Sequence, residues 1–266
     1  MNILFAILVV AVLGGLFGFG LSYAEKKLAI KKDPRVLALE PIMPGANCGV
    51  CGYAGCNAYA AAVALGEAEI GLCSPGGPSL VAKMAEIMGK KVEASGDDRR
   101  KVAHVMCKGN TEFTVKDYNY EGLLDCNAAS LLFGGDNNCK SGCLHLGSCI
   151  KVCPVGAISK DKDGYIIVDE KLCISCEKCV AICPTGVMKM IYEDSEYVID
   201  CNSHEPGGKV RKQCTVGCIG CKICETKYPE SGCKVDRFLA VFDQTLPHSQ
   251  IEEAAQACPT KIIIKR

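Results

Sequence analysis

Cys173-Ile174-Ser175-Cys176-Glu177-Lys178-Cys179-Val180-Ala181-Ile182-Cys183-Pro184 is the stretch that decides the fold. Its spacing is C-x2-C-x2-C-x3-C-P. Three closely spaced thiolates suit three irons of one 4Fe–4S cube, and the fourth cysteine, turned away by proline, reaches a second cube. A partner run should therefore exist, and Cys139-x3-Cys143-x5-Cys149-x3-Cys153-Pro154 lies upstream with widened spacing. Exchange of fourth ligands predicts one cluster on Cys139, Cys143, Cys149 and Cys183. The other takes Cys153, Cys173, Cys176 and Cys179. Zinc has no use for such an interlocked pair.

Between the runs, Ala157-Ile158-Ser159, Asp163-Gly164 and Tyr165 to Val168 read as a β-hairpin with a tight turn. Val187 to Ile191 and Glu196 to Ile199 repeat the pattern after the second run. Further on, Cys218-x2-Cys221-x2-Cys224 opens a third run, but Tyr228-Pro229 stands where its Cys-Pro belongs. A new Cys-Pro follows at Cys258-Pro259, and Leu246 to Ala255, the place for a second run, holds no cysteine. This predicts one cluster in the tail, on Cys218, Cys221, Cys224 and Cys258. A hairpin over Cys233 to Val235 and Phe238 to Phe242, a helix over 250–257 and a closing strand over Lys261 to Lys265 complete it.

Towards the N-terminus, Cys48-x2-Cys51-x4-Cys56-x16-Cys73 sits among glycines that let the backbone wrap closely around one site. Zinc usually takes two separated pairs, so three cysteines plus one favour a cluster. Helices are expected over Ala58 to Ala68 and Ser79 to Met88, the second ended by Gly89. Met1 to Ala24 carries no charge, and at about 1.5 Å per residue it crosses a hydrocarbon core of roughly 30 Å. It lacks the basic n-region of a signal peptide and the polar face of a soluble helix. Lys26, Lys27, Lys31, Lys32 and Arg35 follow the span, which places the remainder on the cytoplasmic side of the cell (inner) membrane as a single-pass protein. Gly14 and Gly18 suit close packing on another membrane helix.

The chain has 266 residues and 21 cysteines, an odd number grouped in tight runs, unlike a secreted disulfide scaffold. Lysine plus arginine equals aspartate plus glutamate at 30 each, so charge gives no reason to expect nucleic acid. No dinucleotide fingerprint, P-loop or Ser/His/Asp arrangement is present, and His104, His145, His204 and His248 are scattered. Chemistry on the end substrates is therefore expected on partner subunits. Cys107, Cys126, Cys201, Cys214 and Cys233 are left over. The first four are open between a fifth cluster and four buried free thiols, because non-local ligands leave no spacing signature. Cys233 reads as a plain thiol. Lys209, Arg211 and Lys212 are open between a docking patch for an acidic partner and a solvated charge run.

The expected architecture is α+β. It comprises a transmembrane anchor (1–24), a stalk (25–40), a small helical 4Fe–4S domain (41–95), a two-cluster ferredoxin-like domain with an N-terminal extension (96–200) and a degenerate single-cluster ferredoxin-like domain (201–266). The anchor, the Cys48–Cys73 module, Asp125-Cys126-Asn127-Ala128-Ala129, Gly142-Cys143-Leu144-His145-Leu146-Gly147-Ser148-Cys149 and Gly217-Cys218-Ile219-Gly220-Cys221 together resemble the B component of the Rnf complex. That resemblance covers essentially the whole chain. It implies a membrane complex that oxidises reduced ferredoxin, reduces NAD and pumps sodium ions or protons. In it this component accepts electrons from ferredoxin and relays them through 4Fe–4S clusters on the cysteines named above. Longer relatives carry a second C-terminal cluster where this chain has Tyr228 and 246–255. The alternatives are an electron-input component of a different membrane oxidoreductase and, from another class, a zinc-rich scaffold that assembles membrane partners.

Overall fold

The computed structural model describes residues 2–28, 33–91, 99–243 and 248–266. Helix α1 (Asn2–Leu28) contains the apolar span and runs past the expected limit at Ala24. Its segment Ile7–Lys27 is long and apolar enough to cross a membrane, and none of it is buried among the described residues. Lys26 and Lys27 occupy its last turn. Lys31 and Lys32 lie outside the described residues, as do the expected domain boundary at 95/96 and Leu246 and Pro247.

Three small cores follow. The first joins α2 (Pro34–Leu39), α3 (Cys56–Leu65) and α4 (Gly77–Met88). Asp33 caps α2 by accepting from Arg35 N at 2.8 Å, with Pro34 at the first helical position. Val36 and Leu39, three apart on one helix face, bury against Tyr59, Val63, Leu80 and Met84. The expected stalk is therefore shorter than 25–40, because α2 belongs to this core. Gly66 and Gly89 end α3 and α4 in the left-handed conformation that glycine adopts without strain.

The second region carries β1 (Lys101–Val105), α5 (Cys126–Ser130), α6 (Ser148–Val152), β2 (Ile158–Lys160), β3 (Ile166–Val168), α7 (Lys178–Ile182), β4 (Met188–Tyr192) and β5 (Tyr197–Ile199). The tail adds α8 (Gly207–Gln213), α9 (Ile223–Thr226), β6 (Cys233–Asp236), β7 (Leu239–Phe242), α10 (Ile251–Ala257) and β8 (Ile263–Lys265). Strands β2 and β3 form the expected hairpin, with Ile158 opposite Val168. Asp161 holds its turn by accepting from the amides of Asp163 and Tyr165. Strands β6 and β7 form the second, joined by Arg237 and Phe238 at φ 41° and 66°.

The hairpin expected from Val187 to Ile199 does not form. Strand β4 pairs antiparallel with β1, and β5 pairs antiparallel with β8. Burial explains the exchange. Strand β1 buries Val102, Ala103 and Val105 in one core with Met188 and Ile191. All three residues of β5 are buried, which requires cover on both faces. Tyr197 and Ile199 bury in the tail core beside Leu239, Ile251 and Ile262, whereas Val198 faces the core behind β1. The expected boundary at 200/201 thus falls after a strand that both units share.

Candidate iron–sulfur sites

The fold gathers twenty of the 21 cysteines into five groups of four. In the first, Cys73 has its thiol pushed up by burial and then by the neighbouring Cys56, Cys48 and Cys51 sulfurs. Asn47, at φ 46°, accepts from Cys56 N at 2.8 Å and donates to Gly45 O at 3.2 Å, which closes the loop. The wholly buried Tyr59 donates to Glu69 O at 2.8 Å and accepts from the amides of Gly71 and Leu72 at 3.2 Å each. Those bonds fix the segment that delivers Cys73.

The second group is the expected Cys153, Cys173, Cys176 and Cys179, which line one cavity of about 330 Å³ with Ala157, Ile158 and Met190 among its walls. Cys173 O accepts from Arg100 at 2.7 Å, and Cys153 Sγ accepts from Ala157 N at 3.3 Å. Burial, then Cys173 and Cys176, pushes the Cys179 thiol up to about 12. Cys48 of the first group is among the sulfurs acting on Cys176, so the two groups are neighbours.

The third group differs from the spacing argument. Cys143, Cys149 and Cys183 line a cavity of about 390 Å³, but their companion is Cys126 rather than Cys139. Two local features cause the exchange. Cys126 opens α5, its amide donating to Ser148 Oγ at 2.6 Å, next to Cys149. Ser148 in turn donates to Asp125, which also caps α5 through Ala128 N. Cys139, by contrast, starts a tight turn closed by Gly142 N to Cys139 O at 3.3 Å, and its sulfur lies near those of Cys201 and Cys214. Burial, then Cys126 and Cys183, pushes the Cys149 thiol up to about 11.

The fourth group is the expected tail set. Cys218, Cys221, Cys224 and Cys258 line a cavity of about 360 Å³ with Val235, Ala240 and Ile262. Ala240 N donates to Cys218 Sγ at 3.4 Å, and the fully buried Ser231 donates to Cys224 O at 2.9 Å. Gly220 lies so close to the β6–β7 turn that a Cβ there would stand 2.7 Å from Phe238 O. Cys233 is buried against Cys224, and the two thiols share a hydrogen bond. Cys107, Cys139, Cys201 and Cys214 make up the remaining group, so Cys126 and Cys139 exchange places relative to the sequence expectation.

The donor chemistry fits 4Fe–4S cubes. Each of the three cavities is lined by four thiols and is otherwise largely apolar. Among the described residues, no three His, Cys, Asp or Glu side chains converge closely enough to hold a single ion. Two thiolates on one zinc would stand only about 3.8 Å apart. Sequence reasoning missed the oxygens around the sulfurs. Thr185 Oγ1 is 3.6 Å from Cys183 Sγ and Thr260 Oγ1 is 3.8 Å from Cys258 Sγ. The repeated Cys-Pro-Thr at 183–185 and 258–260 was the available signal.

Comparison with known families agrees with this chemistry. Residues 43–75 match a family described as an Fe-S cluster, and residues 137–188 match the 4Fe-4S dicluster domain. The B component of the proton-translocating ferredoxin:NAD(+) oxidoreductase complex of Clostridium ljungdahlii is 41% identical over 99% of this chain and 93% of its own length. The B component of an ion-translocating oxidoreductase complex from Methanosarcina acetivorans is 36% identical over 90% of this chain and 89% of its own. Its counterpart in the Na(+)-translocating ferredoxin:NAD(+) oxidoreductase complex of Acetobacterium woodii is 39% identical over 79% of this chain and 62% of its own. With four-thiol sites along its length and relatives of this similarity over nearly its full extent, the chain belongs to the B-component family of ion-translocating ferredoxin:NAD oxidoreductase (Rnf) complexes.

Proposed function

We propose that the chain is the electron-transfer component of a membrane-bound ferredoxin:NAD oxidoreductase that translocates ions, and that it takes its electrons from reduced ferredoxin. The observation that carries this reading is the succession of four-cysteine sites on a chain headed by a membrane-length apolar helix. The ligand sets are Cys48, Cys51, Cys56 and Cys73; Cys153, Cys173, Cys176 and Cys179; Cys126, Cys143, Cys149 and Cys183; and Cys218, Cys221, Cys224 and Cys258. When bound, a 4Fe–4S cube takes up and returns a single electron at a potential set by its surroundings. The chain's own residues cover these cysteines wholly or partly, save the exposed Cys221, supply amide and hydroxyl donors to sulfurs, and hold neighbouring sites close.

Helix α1 passes once through the membrane, and Lys26 and Lys27 at its end keep the cysteine domains on the cytoplasmic side. The bacterial-ferredoxin-like modules follow, with the tail reduced to one local cluster. Anaerobically purified protein is expected to be brown and to bleach with dithionite or with reduced ferredoxin; a colourless, zinc-loaded protein would sink the reading. Ferredoxin docks on the basic face of α8, where Lys209, Arg211 and Lys212 are exposed beside Cys214. Charge reversal at these three positions is expected to slow reduction by ferredoxin and flatten its salt dependence. No change in either removes this face.

A further inference from the structure

Four segments that lie far apart in sequence converge between the third group and the tail. Lys108 N donates to Asp200 O at 3.0 Å, which sets Cys107 beside Cys201. Thr114 bridges Cys214 in antiparallel fashion, and Val115 N donates to Gln213 O at 2.9 Å. Asn138 N donates to Val115 O at 2.8 Å, and the buried Gln213 side chain reaches Asn138 O at 3.4 Å. Cys139 is thereby brought to Cys214. A Cβ built on Gly109 would stand 3.5 Å from Cys107 Sγ and 3.7 Å from Cys214 Sγ, so these two sulfurs are within about 7 Å of one another. The absence of a side chain at Gly109 keeps that space clear.

We propose that Cys107, Cys139, Cys201 and Cys214 hold a fifth 4Fe–4S cluster, seated between the third group and the tail group. The proposal rests on the reading of the other four sets as cluster sites, whose pattern it shares. The matched family regions, 43–75 and 137–188, contain only Cys139 of the four. Its sulfurs already receive amide donors, as those of the other sets do: Cys143 N lies 3.5 Å from Cys107 Sγ and Cys218 N 3.3 Å from Cys201 Sγ. Each donor is the amide of a ligand in the adjoining set. The site is therefore wedged directly between its two neighbours. The Cys139 and Cys201 sulfurs both lie close enough to act on the Cys107 thiol, so the set faces one common space.

The test is an iron count on the full chain, purified anaerobically in detergent, with four irons per cube. About 20 irons per chain are expected, and Cys201→Ala or Cys139→Ala should lower the count to about 16 while the EPR signals of the other sites persist. A wild-type count of about 16 that Cys201→Ala leaves unchanged overturns the fifth site but leaves the proposed function standing. A colourless protein overturns both. Should the variants fail to fold, anomalous diffraction at the iron edge from crystals of the unaltered protein decides. Iron density enclosed by the four sulfurs supports the proposal, whereas bare thiols or a zinc-edge signal there overturn it.

Discussion

Asp125 accepts from Ala128 N and from Ser148 Oγ, and those two bonds, in that order, hold its carboxyl below the usual range. A lowered carboxyl contributes its stability above the unfolded-state pKa and loses it as pH falls through the folded value. Asp125→Ala removes the cap of α5 and the anchor of Ser148, so Cys126 is expected to lose its fixed position. Faster iron loss to a chelator from the third site, and a smaller further loss on acidification than in wild type, would be measured. Equal rates would show that Ser148 holds Cys126 unaided. Thr185 and Thr260 act on the sulfurs themselves. A hydroxyl donor favours the more negative, reduced state, so Thr185→Val or Thr260→Val should make the potential of its own site more negative. A net hydrogen bond of about 0.5–1.5 kcal/mol corresponds to about 20–60 mV for one electron; redox titration by EPR would read it. The thiols of Cys173, Cys176 and Cys179 and of Cys218, Cys221 and Cys224 were legible because their spacing is local, and Cys258 because proline follows it. The exchange of Cys126 with Cys139 was not, since a turn at Cys139–Gly142 and one serine hydroxyl decide it.

Among the elements, the β6–β7 turn is the least comfortable. Arg237 and Phe238 both take positive φ, the geometry of a two-residue turn that favours Asn-Gly. Left-handed backbone costs an ordinary residue about 1–2 kcal/mol, and Phe238 is half exposed, so little packing offsets it. Arg237→Asn with Phe238→Gly is expected to stabilise the tail by about 1 kcal/mol or more, read as a higher unfolding midpoint with unchanged iron content. A lower midpoint would mean that the Phe238 ring contributes more than its backbone costs. Helices α1, α3, α4 and α10 and both local hairpins were readable from apolar runs, glycines, prolines and alternation, whereas the short helices α5 to α9, of four to seven residues each, were not. The pairings of β1 with β4 and β5 with β8 were not, because their partners are remote and alternation within a strand says nothing about which neighbour it meets.

On the scale of the whole molecule, the cysteine sites and the apolar helix are separable. None of the twenty grouped cysteines precedes Cys48, and the span Ile7–Lys27 is not buried among the described residues. Removal of residues 1–32 is therefore expected to abolish sedimentation with lipid vesicles while iron per chain stays the same. Continued sedimentation would point to a second attachment. The core and tail are not separable in this way, because β5 closes against β8 and buries Tyr197 and Ile199 beneath the tail. A protease or a cloning boundary at residue 200 would leave each piece with a strand deprived of its neighbour, and bare strand edges recruit other chains. Fragments cut there should precipitate together. A cut just before Tyr197 keeps β5 with β8 and gives the tail its own finished edge.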